Sequence, residues 1–170
     1  MTKLCVFGQL SLATVLNPSF ELPVVTSDAS GCPSYWPGGR GAVLIRSGSS
    51  AYGGILAADG NQLLGLPSVG VYQTSDIKQP VTLALGFTYV LSFFAASQRD
   101  SVTPLGVSVG DASMTVDFPL QYESMAVYTM RFVADASSRS IIFRNNFGLG
   151  MVFVDFVTLR KGKIYIRKLV

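Results

Sequence analysis

Near the end of the chain, Met151 to Leu159 reads MVFVDFVTL, a run of large apolar, β-branched and aromatic residues broken by one acid, Asp155. Such a run fits a strand covered on both faces, and it constrains the fold more than any other stretch. An ionised carboxylate in that setting costs several kcal/mol unless something pairs with it. Asp155 therefore needs a partner.

The remaining segments follow the same β grammar. No window shows sustained helical periodicity with capping signals, whereas β-branched and aromatic runs recur between Gly, Pro, Asp and Ser clusters. Strands are expected at Lys3–Phe7, Leu10–Leu16, Ala42–Ile45, Gln62–Leu66, Val69–Thr74, Thr88–Ala96, Leu105–Val109, Ala112–Phe118, Tyr128–Val133, Ser140–Phe143, Met151–Leu159 and Lys163–Leu169. In Thr88–Ala96 the alternation puts Tyr89, Leu91, Phe93 and Ala95 on one face; in Tyr128–Val133 it groups Tyr128, Met130 and Phe132. Val24–Arg40, ending in SGCPSYWPGGRG, has the Gly and Pro density of an irregular surface loop. About a dozen strands in one domain of 170 residues point to an all-β, two-sheet sandwich or jelly roll.

Composition bears on what covers this fold. The chain is 49% hydrophobic and only 14% charged, against a usual charged share of about 25%. A membrane or a protein partner could take up the excess apolar surface. Gln79–Gln98 is uncharged, but Pro80, Gly86 and its threonines suit two strands joined by a turn at Gly86 better than a spanning helix. No membrane span is expected, and burial in a homo-oligomer or larger assembly is the expected outlet. The first residues, MTKLCVFGQLSLATVLN, have a lysine and an apolar run but no small-x-small cleavage site, so the usual secretory route is not expected. Cys5 and Cys32 read as two free thiols. Of the 13 basic residues, Arg160, Lys161, Lys163, Arg167 and Lys168 follow Leu159 without an acid, so the positive net charge is a tail property.

The chain has no histidine, which removes Ser-His-Asp and Cys-His nucleophilic systems and every His-ligated metal site. No activated nucleophile or base stands out, so no enzyme activity is expected. GGRG is too short for a phosphate loop, and no basic patch interleaved with aromatics marks a specific nucleic-acid surface outside the tail.

Five pieces in order carry a family resemblance: NPSFE at Asn17–Glu21, DGNQLLGL at Asp59–Leu66, YQT at Tyr72–Thr74, GFTYVLSF at Gly86–Phe93 and VDFVTL at Val154–Leu159. Together they resemble the galactose-binding-like jelly roll of carbohydrate-binding modules, of the CBM4/9 and DUF642-like families. The resemblance covers residues 17–159; residues 1–16 and the basic residues 160–170 lie outside it. Pro18 stands at a family glycine position, and Phe156 replaces the second acid of the last strand.

The resemblance implies a structural calcium held by the acid of the early N-x-S-F-E segment and the first acid of the last strand, here Glu21 and Asp155, with Asp59 a third candidate. Ca²⁺ takes six to eight oxygen ligands; the competing reading of Asp155 is a carboxylate satisfied by backbone amides or an arginine. The resemblance also implies sugar stacking on aromatic rings. Tyr35 and Trp36, with Arg40 beside them, are the leading candidates, followed by Tyr72 and Tyr122; Trp36 packed into the core is the competing reading.

Low charge, no export outline, spare ends and a basic tail favour a non-catalytic module in a virus or phage particle, as a decoration, fibre or tail surface protein with glycan adhesion as its outward task. The alternative is a stand-alone or accessory carbohydrate-binding module of a secreted or cell-surface system. The corresponding locations are a virion surface and the extracellular space.

Overall fold

The computed structural model of the protein describes residues 13–38, 41–68, 75–98, 101, 103–118, 124–146 and 150–162. Alternating segments of the sequence pair, all antiparallel, into two sheets. The strands are β1 (Ala29–Ser30), β2 (Val43–Arg46), β3 (Gln62–Pro67), β4 (Asp76–Thr82), β5 (Thr88–Ser97), β6 (Leu105–Val109), β7 (Ala112–Val116), β8 (Ala126–Val133), β9 (Ser138–Asn145) and β10 (Met151–Lys161). Six make one sheet in the order β1-β2-β3-β10-β5-β8, and four make the other, β4-β9-β6-β7. The all-β jelly-roll sandwich is the observed fold, with one short 3-10 turn at Ser50–Tyr52. Among the described residues no helix is long and apolar enough to cross a membrane.

Period-two alternation builds the main core. Tyr89, Leu91, Phe93 and Ala95 of β5 point between the sheets, where they meet Met130, Phe132, Phe143, Val152, Val154 and Leu159. Gln79–Gln98 holds parts of β4 and β5, with Gly86 at a φ of 77° in the turn between them, but the two strands lie in different sheets. The turn therefore crosses the sandwich. The outer face of the larger sheet carries a smaller core of Val43, Ile45, Leu63, Ala96, Met151 and Phe153, roofed by Ile55 from the loop after β2. Thus Met151–Val154 is apolar on both faces, as MVFV requires.

Two buried glutamines join the early segment to both sheets. Gln79 Nε2 donates to Leu16 O at 2.8 Å, and Gln79 Oε1 accepts from Leu16 N at 2.7 Å. Gln62 Nε2 donates to Phe20 O and Pro23 O, while Val25 N donates to Gln62 Oε1. These bonds satisfy backbone groups of a segment without strand partners of its own. That corrects the expected strand Leu10–Leu16 over its described part: Ala13–Leu16 is irregular, held by side chains instead of a ladder. The expected strands at Lys3–Phe7, Val69–Thr74 and Lys163–Leu169 lie outside the described residues.

β10 shifts register against β5 at a bulge. Asp155 pairs with Phe94 and Thr158 with Ser92, so three steps on β10 match two on β5. Phe156 takes the extra position at a φ of 46°, and Val157 N donates to Pro18 O at 2.8 Å. Phe156 extends the apolar run of the sequence, yet the bulge turns it outward to 38% exposure.

Candidate functional site

The three acids singled out by the resemblance do converge, on the loop Ala57–Gln62. Asp155 is fully buried; its Oδ2 accepts from Ala58 N at 2.8 Å and Asp59 N at 3.0 Å, and its Oδ1 from Phe156 N at 2.7 Å. Burial pushes the Asp155 carboxyl up to about 7, opposed by those three N–H bonds and assisted by the nearby Asp59 charge. Glu21 Oε1 accepts from Asn61 N and Gln62 N, both at 2.9 Å. It closes over Gly60, whose φ of 75° and contact with the Glu21 carboxylate leave no room for a side chain. Ser19 Oγ donates to Asp59 Oδ2 at 2.6 Å.

This donor set does not make a calcium site as arranged. The Asp155 carboxylate and Glu21 Oε1 take backbone N–H groups, Asp59 Oδ2 takes the Ser19 hydroxyl, and the described residues contain no cluster of three or more His, Cys, Asp or Glu set to hold a metal. The arrangement is a set of acid-to-amide clamps. Asp155 finds the amide partners that were one of its two expected solutions.

The aromatic candidates separate. Trp36 is wholly buried, against Phe20 at 5.3 Å and Phe143 at 6.0 Å between ring centroids, and its Nε1 donates to Leu16 O and Asn17 O. With no ring face open, Trp36 is corrected from a stacking platform to a core anchor. Tyr35, one residue earlier, is 58% exposed. Its φ of 69° turns the two neighbouring side chains apart, and its carbonyl accepts from Gln79 Nε2 on β4. Arg40, Tyr72 and Tyr122 lie outside the described residues.

Polar side chains line several concavities, among them one beside the clamps and one on the four-stranded sheet. The larger, of about 580 Å³, lies beside the clamps and is lined by Glu21, Thr26, Arg46, Ser47, Asn61 and Gln62 among others. Its polar groups mostly serve the backbone: besides Glu21 and Gln62, Arg46 Nη1 donates to Thr26 O and Ser47 Oγ accepts from Ala57 N. The smaller, of about 230 Å³, is a groove on the outer face of the four-stranded sheet. Register sets out its two rows: Asp76, Arg144, Gly106 and Thr115 in one, Lys78, Ile142, Ser108 and Ser113 in the other. Four neighbouring strands give each row a span of about 14 Å.

Gly106 opens the floor of this groove, since a Cβ there would strike the Asn146 amide. Arg144 Nη2 reaches Asp76 Oδ2 at 3.4 Å, an exposed contact that leaves most guanidinium donors available. Among the described residues the side chains of Ser108, Ser113, Thr115 and Asn146 make no hydrogen bond, and Ile142 adds an apolar surface. Tyr35 is tied by its carbonyl to β4, the edge strand of this same sheet. The arrangement offers hydroxyl, amide and guanidinium groups. These groove residues were not singled out in the sequence, although small polar residues at alternate positions of Leu105–Val109 and Ala112–Phe118 were a visible signal.

The family profile of DUF642, described as a protein of unknown function, matches residues 15–148. The chain belongs to the DUF642 family. Its jelly roll is the galactose-binding-like fold of carbohydrate-binding modules. TmCBM61, solved in complex with β-1,4-galactotriose, is similar to this DUF642 chain at 16% identity and a TM-score of 0.58, over 89% of this chain and 100% of that one. An α-L-arabinofuranosidase, MgGH51, solved with arabinose, is similar at 15% identity and a TM-score of 0.60, over 91% of this chain. Tailspike protein 4 of bacteriophage CBA120 is similar at 12% identity and a TM-score of 0.58, over 89% of this chain. The DUF642 chain spans 27% of the arabinofuranosidase and 22% of the tailspike chain. These likenesses are of fold. A comparison with curated protein sequences finds no match.

Proposed function

We propose that this protein is a non-catalytic glycan-binding module that holds a neutral oligosaccharide in the groove of its four-stranded sheet. The observation that carries the proposal is the set of uncommitted polar side chains, Ser108, Ser113, Thr115 and Asn146, gathered with Arg144 around the floor at Gly106. Hydroxyls and amides can both donate and accept, which suits the hydroxyl pattern of a sugar; Ile142 meets its apolar face. Tyr35, 58% exposed, is held through its carbonyl to Gln79 of β4, the edge strand of the same sheet. The fold shared with TmCBM61 supports this reading, and it favours the carbohydrate-binding alternative over a part in a virus or phage particle. The corresponding location is extracellular or at a surface.

A panel of neutral oligosaccharides, including β-1,4-galactotriose, tests the proposal against wild type and the Ser108→Leu variant. Binding by wild type and its loss when leucine fills the groove is the expected result. Equal binding by both proteins, or no binding by either, contradicts it.

A further inference from the structure

Among the described residues, the outer face of the larger sheet is roofed over β2, β3 and the start of β10 but open across the rest of β10, β5 and β8, where register lays out a pattern unlike the groove. Phe94 pairs with Val127, and the ring of Phe156 lies 6.2 Å from that of Phe94. One step along, Thr158, Ser92 and Thr129 form a row of hydroxyls across three strands. The next row is Arg160, Val90 and Arg131, two guanidiniums astride a valine. Val133, 60% exposed, closes the pattern beside Thr88.

All these side chains are at least partly accessible, and within the described residues neither Arg131 nor Arg160 makes an ion pair or a side-chain hydrogen bond. Two strand spacings put their Cα atoms about 9.5 Å apart, and four residues along a strand separate them from the aromatic row by about 13 Å. Unpaired arginines present planar donor forks suited to carboxylates. A surface that sets apolar rings, then hydroxyls, then two such forks in successive rows matches a chain carrying sugar faces, hydroxyls and carboxylates together.

We infer that this open face binds an acidic polysaccharide, a uronate-bearing chain whose carboxylates pair with Arg131 and Arg160 while its sugar rings lie over Ser92, Phe94 and Phe156. The inference rests on the glycan-binding reading for its class of ligand, not for its site, because this face and the groove are on opposite sheets. An acidic peptide or a single-stranded nucleic acid would answer the arginines but makes less use of the hydroxyl row.

Isothermal titration with trigalacturonate and with its carboxyl-reduced, neutral counterpart tests it, using wild type, Arg131→Gln, Arg160→Gln and the groove variant Ser108→Leu. Trigalacturonate should bind wild type and Ser108→Leu alike, and each arginine substitution should weaken it roughly tenfold. The neutral trimer should be indifferent to both arginines. Trigalacturonate binding that ignores the arginines, or that is lost in Ser108→Leu, would overturn the inference. So would polyglutamate or single-stranded DNA binding as tightly as trigalacturonate through the same arginines. Loss of neutral-sugar binding in wild type, with arginine-dependent uronate binding intact, would instead remove the groove reading and leave this one standing. Melting curves of the two arginine variants, expected to match wild type, guard against a folding defect.

Discussion

The two concavities differ in a way that size hides. The larger, beside Glu21, is lined by groups already committed to the chain: Glu21 and Gln62 hold backbone N–H and C=O groups, and Arg46 and Ser47 do the same. The smaller, at Gly106, is lined by hydroxyls and an amide with no such duty. Polar groups that satisfy buried backbone contribute to stability, and removing them leaves orphans; polar groups that face only water are free to meet a ligand. Substitutions on the first side should therefore lower stability, and on the second side lower binding.

The largest expected effect lies on the stability side of that line. Trp36→Ala should cost about 3–5 kcal/mol in denaturant unfolding, because it empties a fully buried site between Phe20 and Phe143 and strips Leu16 O and Asn17 O of a donor. A loss below about 1 kcal/mol would return Trp36 to the surface. Asp155→Ala should follow at about 2–4 kcal/mol, since it orphans the amides of Ala58, Asp59 and Phe156.

Asp155 also sets a pH signature. Its folded pKa of about 7 lies above the ordinary carboxylate value, so between the two the folded protein keeps a proton that the unfolded chain releases. The stability this contributes is full below the unfolded pKa and is lost as pH rises through about 7. Melting temperature should fall between pH 5 and pH 8, and Asp155→Asn should flatten that part of the curve. An unchanged slope in the variant would assign the titration elsewhere.

Smaller effects sharpen the contrast. Gly60→Ala should cost about 1–3 kcal/mol by forcing a side chain into a left-handed turn against Glu21. A chelator should leave the melting temperature unchanged, because Asp155 and Glu21 Oε1 hold backbone amides and Asp59 holds the Ser19 hydroxyl; a clear fall would restore calcium to Glu21, Asp59 and Asp155.

The sequence was most legible where alternation is strict. Thr88–Ala96 and Tyr128–Val133 show their inward faces outright, and the ordered motifs from NPSFE to VDFVTL led to the jelly roll. The same motifs singled out Glu21, Asp59 and Asp155, which meet at one loop, but left Asp155 between a cation and backbone amides, because a carboxylate's partner depends on which loop folds over it. Trp36 and Tyr35 show a similar limit. Neighbouring aromatics in a Pro- and Gly-rich loop look alike until one left-handed φ buries the first and exposes the second. The groove stayed hidden for another reason: Gly106 and Ser108 of β6, Ser113 and Thr115 of β7, and Ile142 and Arg144 of β9 come from three strands, and only their register brings them together.

One paired measurement bears on the central claim most directly: melting temperature and affinity for a neutral galacto-oligosaccharide, taken together on wild type, Ser108→Leu and Asp155→Asn. The expected outcome is a crossing, in which Ser108→Leu melts like wild type but loses the sugar, while Asp155→Asn melts lower and, below its transition, binds like wild type. Sugar binding that survives in Ser108→Leu would contradict the account.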